Sequence, residues 1–247
     1  MKMYIFTSTY VRDVYHCGES AREGRRERAW GSQGGWFFLI CCGIIFYVKE
    51  VIYLKIKQQK QIKTFLTEEY GNEKGSALFD WQTEILDELI KNTRGKSENQ
   101  MKTLTETILP RVALYKALSK GDFPQNDIFA CMRKYMINIV AAEKHSFTAK
   151  MEAIPGFYFL YSRIFLKIVR TTDLWESVQR HDKNSFDVTM KKCLWHTACV
   201  ENGCPELCPL FCDVDNVTYG GLKKLGFSRT KTLGYGGDCC DFHFFRK

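Results

Sequence analysis

The chain has 247 residues, 45% of them hydrophobic and 26% charged, with a formal net charge of +8. These are globular proportions that support a packed core. The lysines and arginines are scattered, and no helix carries a basic face interleaved with stacking aromatics. That excludes nucleic acid as the partner and leaves a small anionic molecule or an anionic membrane surface. Eleven cysteines, an odd count without regular spacing, exclude a disulfide-stapled secreted domain and point to a reducing compartment, the cytoplasm or a cytoplasmic face.

Residues 1–33 read as a flexible tail in which Arg22, Arg25, Arg26 and Arg28 alternate with glutamates before a glycine-rich spacer. Residues 34–56 read as a hydrophobic helix. Trp36–Val48 carries no charge, but a spanning helix needs about 20 apolar residues, and Lys49 and Glu50 interrupt this one. The segment is therefore either a membrane anchor, with the domain on the cytoplasmic side, or a helix docked on that domain. Residues 57–247 read as a single α+β domain whose motifs lie in 184–247.

From about 75 to 183 the pattern is helical. Leu78, Trp81, Ile85 and Leu89 recur at helical spacing and predict one buried face. A second helix carries Met101, Leu104, Ile108, Val112 and Tyr115, with a kink or break at Pro110. A third starts at Asp127 as N-cap, and a fourth, Gly156–Leu174, faces the core. All are packing surfaces in this reading. Phe186, Val188 and Met190 then alternate with polar residues, the signature of a half-buried strand. A short helix follows Cys193 and stops at Gly203. Another opens at Pro209 and closes at Gly220-Gly221. Strands over about 226–235 and 239–246, joined at Gly236-Gly237, end the chain. The predicted fold is thus α+β, an N-terminal helical bundle packed on a small C-terminal antiparallel sheet of about three strands with short helices.

Seven cysteines crowd the last quarter. Cys193 stands where a strand hands over to a helix, a place that can lower a thiol pKa, and His196 lies about one turn beyond it. Cys212, Asp215, Asn216 and Tyr219 share one face of the Pro209 helix. In the last strand Cys239, Asp241 and His243 point one way, while Cys240, Phe242 and Phe244 point to the core. Cys204, Cys208 and Cys212 are four apart, which fits neither a zinc knuckle nor an iron–sulfur spacing. The residual metal option is an irregular site of Cys193, Cys212 and a carboxylate. The reading therefore assigns no metal and no other cofactor, and the partner is a small-molecule substrate.

The string from Cys193 through Pro205-Glu206-Leu207-Cys208-Pro209 and Cys212-Asp213-Val214-Asp215, followed by Phe227-Ser228-Arg229-Thr230, Gly236 and Cys240-Asp241-Phe242 with Phe244, resembles the L-2-amino-thiazoline-4-carboxylic acid hydrolase family over about 186–246. The resemblance implies hydrolytic opening of a cyclic isothiourea to a carbamoyl-cysteine product. Such chemistry needs a nucleophile, an acid/base and a cation for the substrate carboxylate. Cys193 or Cys212 would be the nucleophile, Asp215 or Asp241 the base, and His196 or His243 the proton carrier. Arg229 would hold the carboxylate, with Tyr219 beside the substrate. The closing Gly-x-x-x-Cys-x-Phe also resembles 4-vinyl-reductase-type domains, and the vicinal Cys239-Cys240 pair suits a thiol switch. The alternative is therefore a non-catalytic ligand-binding or redox-sensing module.

Overall fold

The computed structural model describes residues 57–247. The tail at 1–33 and the stretch at 34–56, with its anchor reading, lie outside the described residues. Among the described residues no helix is long and apolar enough to cross a membrane.

The N-terminal layer is helical. Helix α1 (57–70) packs on α2 (Asn72–Asn92), whose buried stripe is Gly75, Leu78, Gln82 and Leu86. Of the predicted face only Leu78 lies at its centre; Trp81, Ile85 and Leu89 flank it, partly buried. Gly75 sets the closeness of the pair, because a Cβ there would stand 2.5 Å from the Leu66 carbonyl oxygen.

The next helix is continuous through α3 (Glu98–Thr103), a π-helical stretch at Leu104–Ile108, and α4 (Leu109–Lys120). A capping box between Ser97 and Gln100 starts it. Pro110 does not break it, so of the expected kink or break the break does not occur. The wide turns ahead of the proline accommodate its ring, and the Leu109 N–H reaches back five residues to the Leu104 carbonyl. The Gln58 amide, oriented so that both of its ends are satisfied, donates to the Glu106 carbonyl and accepts from Arg111 Nε at 3.1 Å.

The third long helix joins α5 (Gln125–Arg133), a second π stretch at Lys134–Ala141, and α6 (Ala142–Met151). It starts two residues before the expected Asp127 cap, because Pro124 takes the cap position. Helix α7 (Phe157–Thr171) buries Phe157, Tyr161 and Phe165, as its apolar text predicts.

Helix does not extend to 183. Strand β1 (Trp175–His181) precedes β2 (Ser185–Cys193), and the Asp182 carboxylate shapes their turn by accepting from the N–H groups of Asn184 and Ser185, both at 2.7 Å. Helix α8 (Leu194–Glu201) ends at Gly203, whose φ of 67° is left-handed. A 3-10 turn at Pro205–Leu207 leads into α9 (Cys208–Tyr219), with Pro209 in its first turn. Strands β3 (Leu225–Ser228) and β4 (Cys240–Arg246) complete a four-stranded antiparallel sheet of order β1-β2-β4-β3.

One face of the sheet is the floor of the core. Phe186, Val188 and Met190 from β2 and Cys240, Phe242 and Phe244 from β4 all point inward. Phe186 and Phe244 stack at 4.8 Å under Tyr161 and Phe165 of α7 and Tyr219 of α9. Each such ring contributes about 1.5–3 kcal/mol of burial. Strand β3 is shorter than predicted. After Ser228 the chain leaves the sheet for a loop containing a 3-10 turn at Leu233–Tyr235, and returns through Gly236 at φ 81°.

Candidate active site

The ends of β2, β3 and β4 meet α8, α9 and the two long helices around a cavity of about 50 Å³. One water needs about 10–15 Å³ on this measure, so the space suits a small acid and not a nucleotide. Trp175 and Trp195, stacked at 5.4 Å, form its aromatic wall together with Phe211 and Phe242. The polar lining comprises Cys193, His196, Cys208, Cys212, Asp215, Arg229, Arg111 and Lys144.

Four of the sequence-predicted catalytic residues thus converge, Cys193, His196, Cys212 and Asp215, together with Arg229. Three predicted site residues do not reach the cavity. Asp241 accepts from the N–H groups of Thr230 (2.9 Å) and Lys231 (2.8 Å) and from the Thr230 hydroxyl, so it holds the β3–β4 loop. His243 lies on the outer face of the sheet with Nδ1 2.6 Å from Asp187 Oδ1. Tyr219 is buried in the core against Tyr161, Phe227 and Phe244. Strand alternation separated Asp241 and His243 from the core correctly; their face is the one turned away from the site. Of the α9 stripe, Asn216 is exposed, and only Cys212 and Asp215 line the cavity.

The electrostatics reorder the cysteines. Cys193 is pushed up to about 12 by burial, which outweighs the N–H groups of His196 and Trp195 near its sulfur. The expected lowering at this helix start therefore does not occur. Cys208 moves the other way. The thiols of Cys199 and Cys212 both hydrogen-bond its sulfur and, with the charge of His196, outweigh burial, so its pKa falls well below that of an ordinary thiol. Cys212 is correspondingly raised, as a donor to Cys208, with Thr232 on its other side. Cys199 also contacts Cys204, so four thiols run in a chain from the cavity into the core. Sequence spacing placed Cys204, Cys208 and Cys212 at one-turn intervals. Only the fold adds Cys199 and makes Cys208 the acceptor.

Asp215 is raised to about 6. Burial disfavours its charge, and Arg229 and Lys144 only partly offset this. The Arg229 side chain is 6% exposed; its Nη1 lies 3.6 Å from Asp215 Oδ2, and its Nη2 donates to the Cys212 carbonyl at 2.6 Å. Arg111 and Lys144 were read as part of a packing scaffold and were missed. Arg111 was detectable: it is the one charge in the otherwise uncharged run Leu109–Tyr115, every residue of which is buried. Lys144 carried no comparable signal. Among the described residues no group of three or more His, Cys, Asp or Glu is arranged to hold a metal ion.

A family model described as L-2-amino-thiazoline-4-carboxylic acid hydrolase matches residues 100–244, more than half the chain. The chain belongs to the L-2-amino-thiazoline-4-carboxylic acid hydrolase family. The match takes in the helices from α3 onward as well as the cysteine-rich part, so Arg111 and Lys144 fall within the region that this hydrolase family shares. No curated protein matches the chain. Among solved structures, the Fe(II) unliganded H-NOX protein from K. algicida aligns at 12% identity over 77% of this chain and 95% of that one, with a TM-score of 0.27. Its A71G mutant aligns at 11% identity over 76% and 94%, with a TM-score of 0.25.

Proposed function

We propose that this protein is a hydrolase that opens a small cyclic isothiourea acid of the 2-amino-thiazoline-4-carboxylate type, giving a carbamoyl-cysteine-type product. The reading rests on one observation above others: the cavity holds a thiol of lowered pKa and a carboxylate of raised pKa beside buried cations, inside the matched region. These are the nucleophile, base and anion partners that such a ring opening needs.

The Cys208 thiolate adds to the ring carbon that lies between sulfur and nitrogen. The ring carbon–sulfur bond breaks, and the departing sulfur takes a proton from His196. Water then adds to the same carbon, giving one proton to ionised Asp215, and the Cys208 sulfur leaves as thiolate while the remaining hydroxyl proton passes to His196, which regains its charge. The water oxygen becomes the carbonyl of a ureido group, and both nitrogens are retained. Ionised Asp215 also complements the positive amidine edge of the substrate.

The test is direct assay of the purified chain with 2-amino-thiazoline-4-carboxylate, following thiol release and product mass. Turnover that Cys208→Ser abolishes, with the circular dichroism spectrum preserved, is the expected result. A folded protein without turnover sinks the reading.

A second reading, a thiol-responsive binding module, draws on the chain of four thiols and not on Cys239-Cys240. It expects reversible peroxide oxidation of the Cys199–Cys212 group in a protein that turns over no thiazoline acid.

A further inference from the structure

We propose that Arg111 and Lys144 form the subsite for the substrate's carboxylate, and that Arg229, the guanidinium expected to do this, instead positions Asp215. The inference rests on the hydrolase reading above and assigns the part of that site which recognises the acid.

Arg229 is held by one hydrogen bond, one ion pair and two rings, and its Nη1, 3.6 Å from Asp215, is buried without a hydrogen-bond partner. One nitrogen donates to the Cys212 carbonyl, another faces Asp215, and the guanidinium lies between the rings of Phe227 and Phe242 at 5.9 and 5.7 Å. Its charge is engaged with the carboxylate of Asp215, and moving it toward a ligand would release both α9 contacts.

Arg111 is differently held. It is 7% exposed, with Nε bonded to Gln58 and the guanidinium 5.7 Å from the Phe211 ring. The Nε contact fixes the plane of the group, the Tyr135 hydroxyl interacts with the same guanidinium, and a planar guanidinium held this way matches a carboxylate in bidentate fashion. Lys144 lines the same cavity from α6. The two cations are close enough that the charge of Arg111 is one cause of the lowered pKa of Lys144, after burial. Placing like charges together away from water is unfavourable, and a carboxylate between them reverses the sign of that interaction. Among the described residues lining the cavity three are cationic, Arg111, Lys144 and Arg229, against the Asp215 carboxylate and the Cys208 thiolate. That balance matches a substrate with a carboxylate at one end and a protonated amidine at the other.

Two ligands discriminate: 2-amino-thiazoline-4-carboxylate and 2-amino-thiazoline, which lacks the acid. The whole chain is titrated with each by calorimetry and assayed with each, as wild type, Arg111→Gln and Arg111→Lys. The expected result is that the wild type prefers the acid, and that Arg111→Gln weakens acid binding about 10- to 100-fold while leaving the affinity for the acid-free ring unchanged. Arg111→Lys, which keeps the charge but loses the fork, should fall between them and guards against a variant that fails to fold. Equal loss for both ligands in both variants would mean that Arg111 is structural, and would overturn the subsite. So would a wild type that binds both ligands equally or neither. Acid-selective binding that depends on Arg111, without turnover, upholds the subsite and removes the hydrolase reading alone.

Discussion

Arg229 ties two elements together through Cys212: its Nη2 donates to that carbonyl at 2.6 Å, linking the loop after β3 to the middle of helix α9, one turn before Asp215. Because the same guanidinium lowers the Asp215 pKa from where burial alone would set it, Arg229→Met should move the acid limb of the kcat/KM profile above pH 6, toward neutrality. A pH–rate profile of both proteins checks this. An unchanged limb would separate Arg229 from the ionisation of Asp215.

Cys208 should be more acidic than Cys193 and Cys212. Thiolate absorbance near 240 nm in the native protein at pH 6 is expected to fall in Cys208→Ala and to stay unchanged in Cys193→Ala, since Cys193 is pushed up to about 12. Retention of the signal in Cys208→Ala would reassign the thiolate.

Gly234 lies directly over the paired thiols. A Cβ there would stand 2.7 Å from Cys212 Sγ and 3.1 Å from Cys208 Sγ. Gly234→Ala should therefore disturb the thiol pair and cost about 1–3 kcal/mol. A lower urea midpoint together with at least a tenfold loss of turnover is the expected pairing.

Ionised Asp215 also carries a stability cost. Its pKa is raised in the fold from 3.8 to about 6. The favourable contribution is therefore full below 3.8 and is lost as pH rises through about 6. At about 1.4 kcal/mol per pH unit, the loss between pH 4 and pH 8 is about 3 kcal/mol. Asp215→Asn should flatten the pH dependence of urea unfolding by roughly that amount. Lys144 works at the other end: lowered to about 8, it adds stability fully only above its ordinary 10.5, and that contribution is lost as pH falls through about 8.

Where burial alternates with the local period, the sequence was readable. The inward set of β4, the turn at Gly203, the proline start of α9 and the apolar α7 all follow from their text. Strand β1 was not readable, because as an edge strand it buries Trp175 and leaves Val178 at 55% exposure, so no alternation marks it. The loop after Ser228 was hidden because Asp241, read as a base, supplies the contacts that pull residues 230–231 out of strand pairing. Site membership was legible for α9 and Cys193, which lie close together in sequence. Arg111 and Lys144 come from helices some 70–100 residues earlier, and no local pattern joins them to Asp215. Protonation states were the least legible, because the acidity of Cys208 depends on Cys199 across a turn.

The two π stretches stand immediately ahead of α4, which carries Arg111, and of α6, which carries Lys144. Such a stretch behaves as an extra residue accommodated in an otherwise α-helical ladder, and each residue along a helix turns about 100° from the last. Losing one residue from Leu104–Ile108 or Lys134–Ala141 would thus leave a more regular rod whose downstream side chains face a new direction. On this geometry the cationic wall can be gained, lost or re-aimed by single-codon indels in the scaffold, with every residue of the cysteine-rich half unaltered.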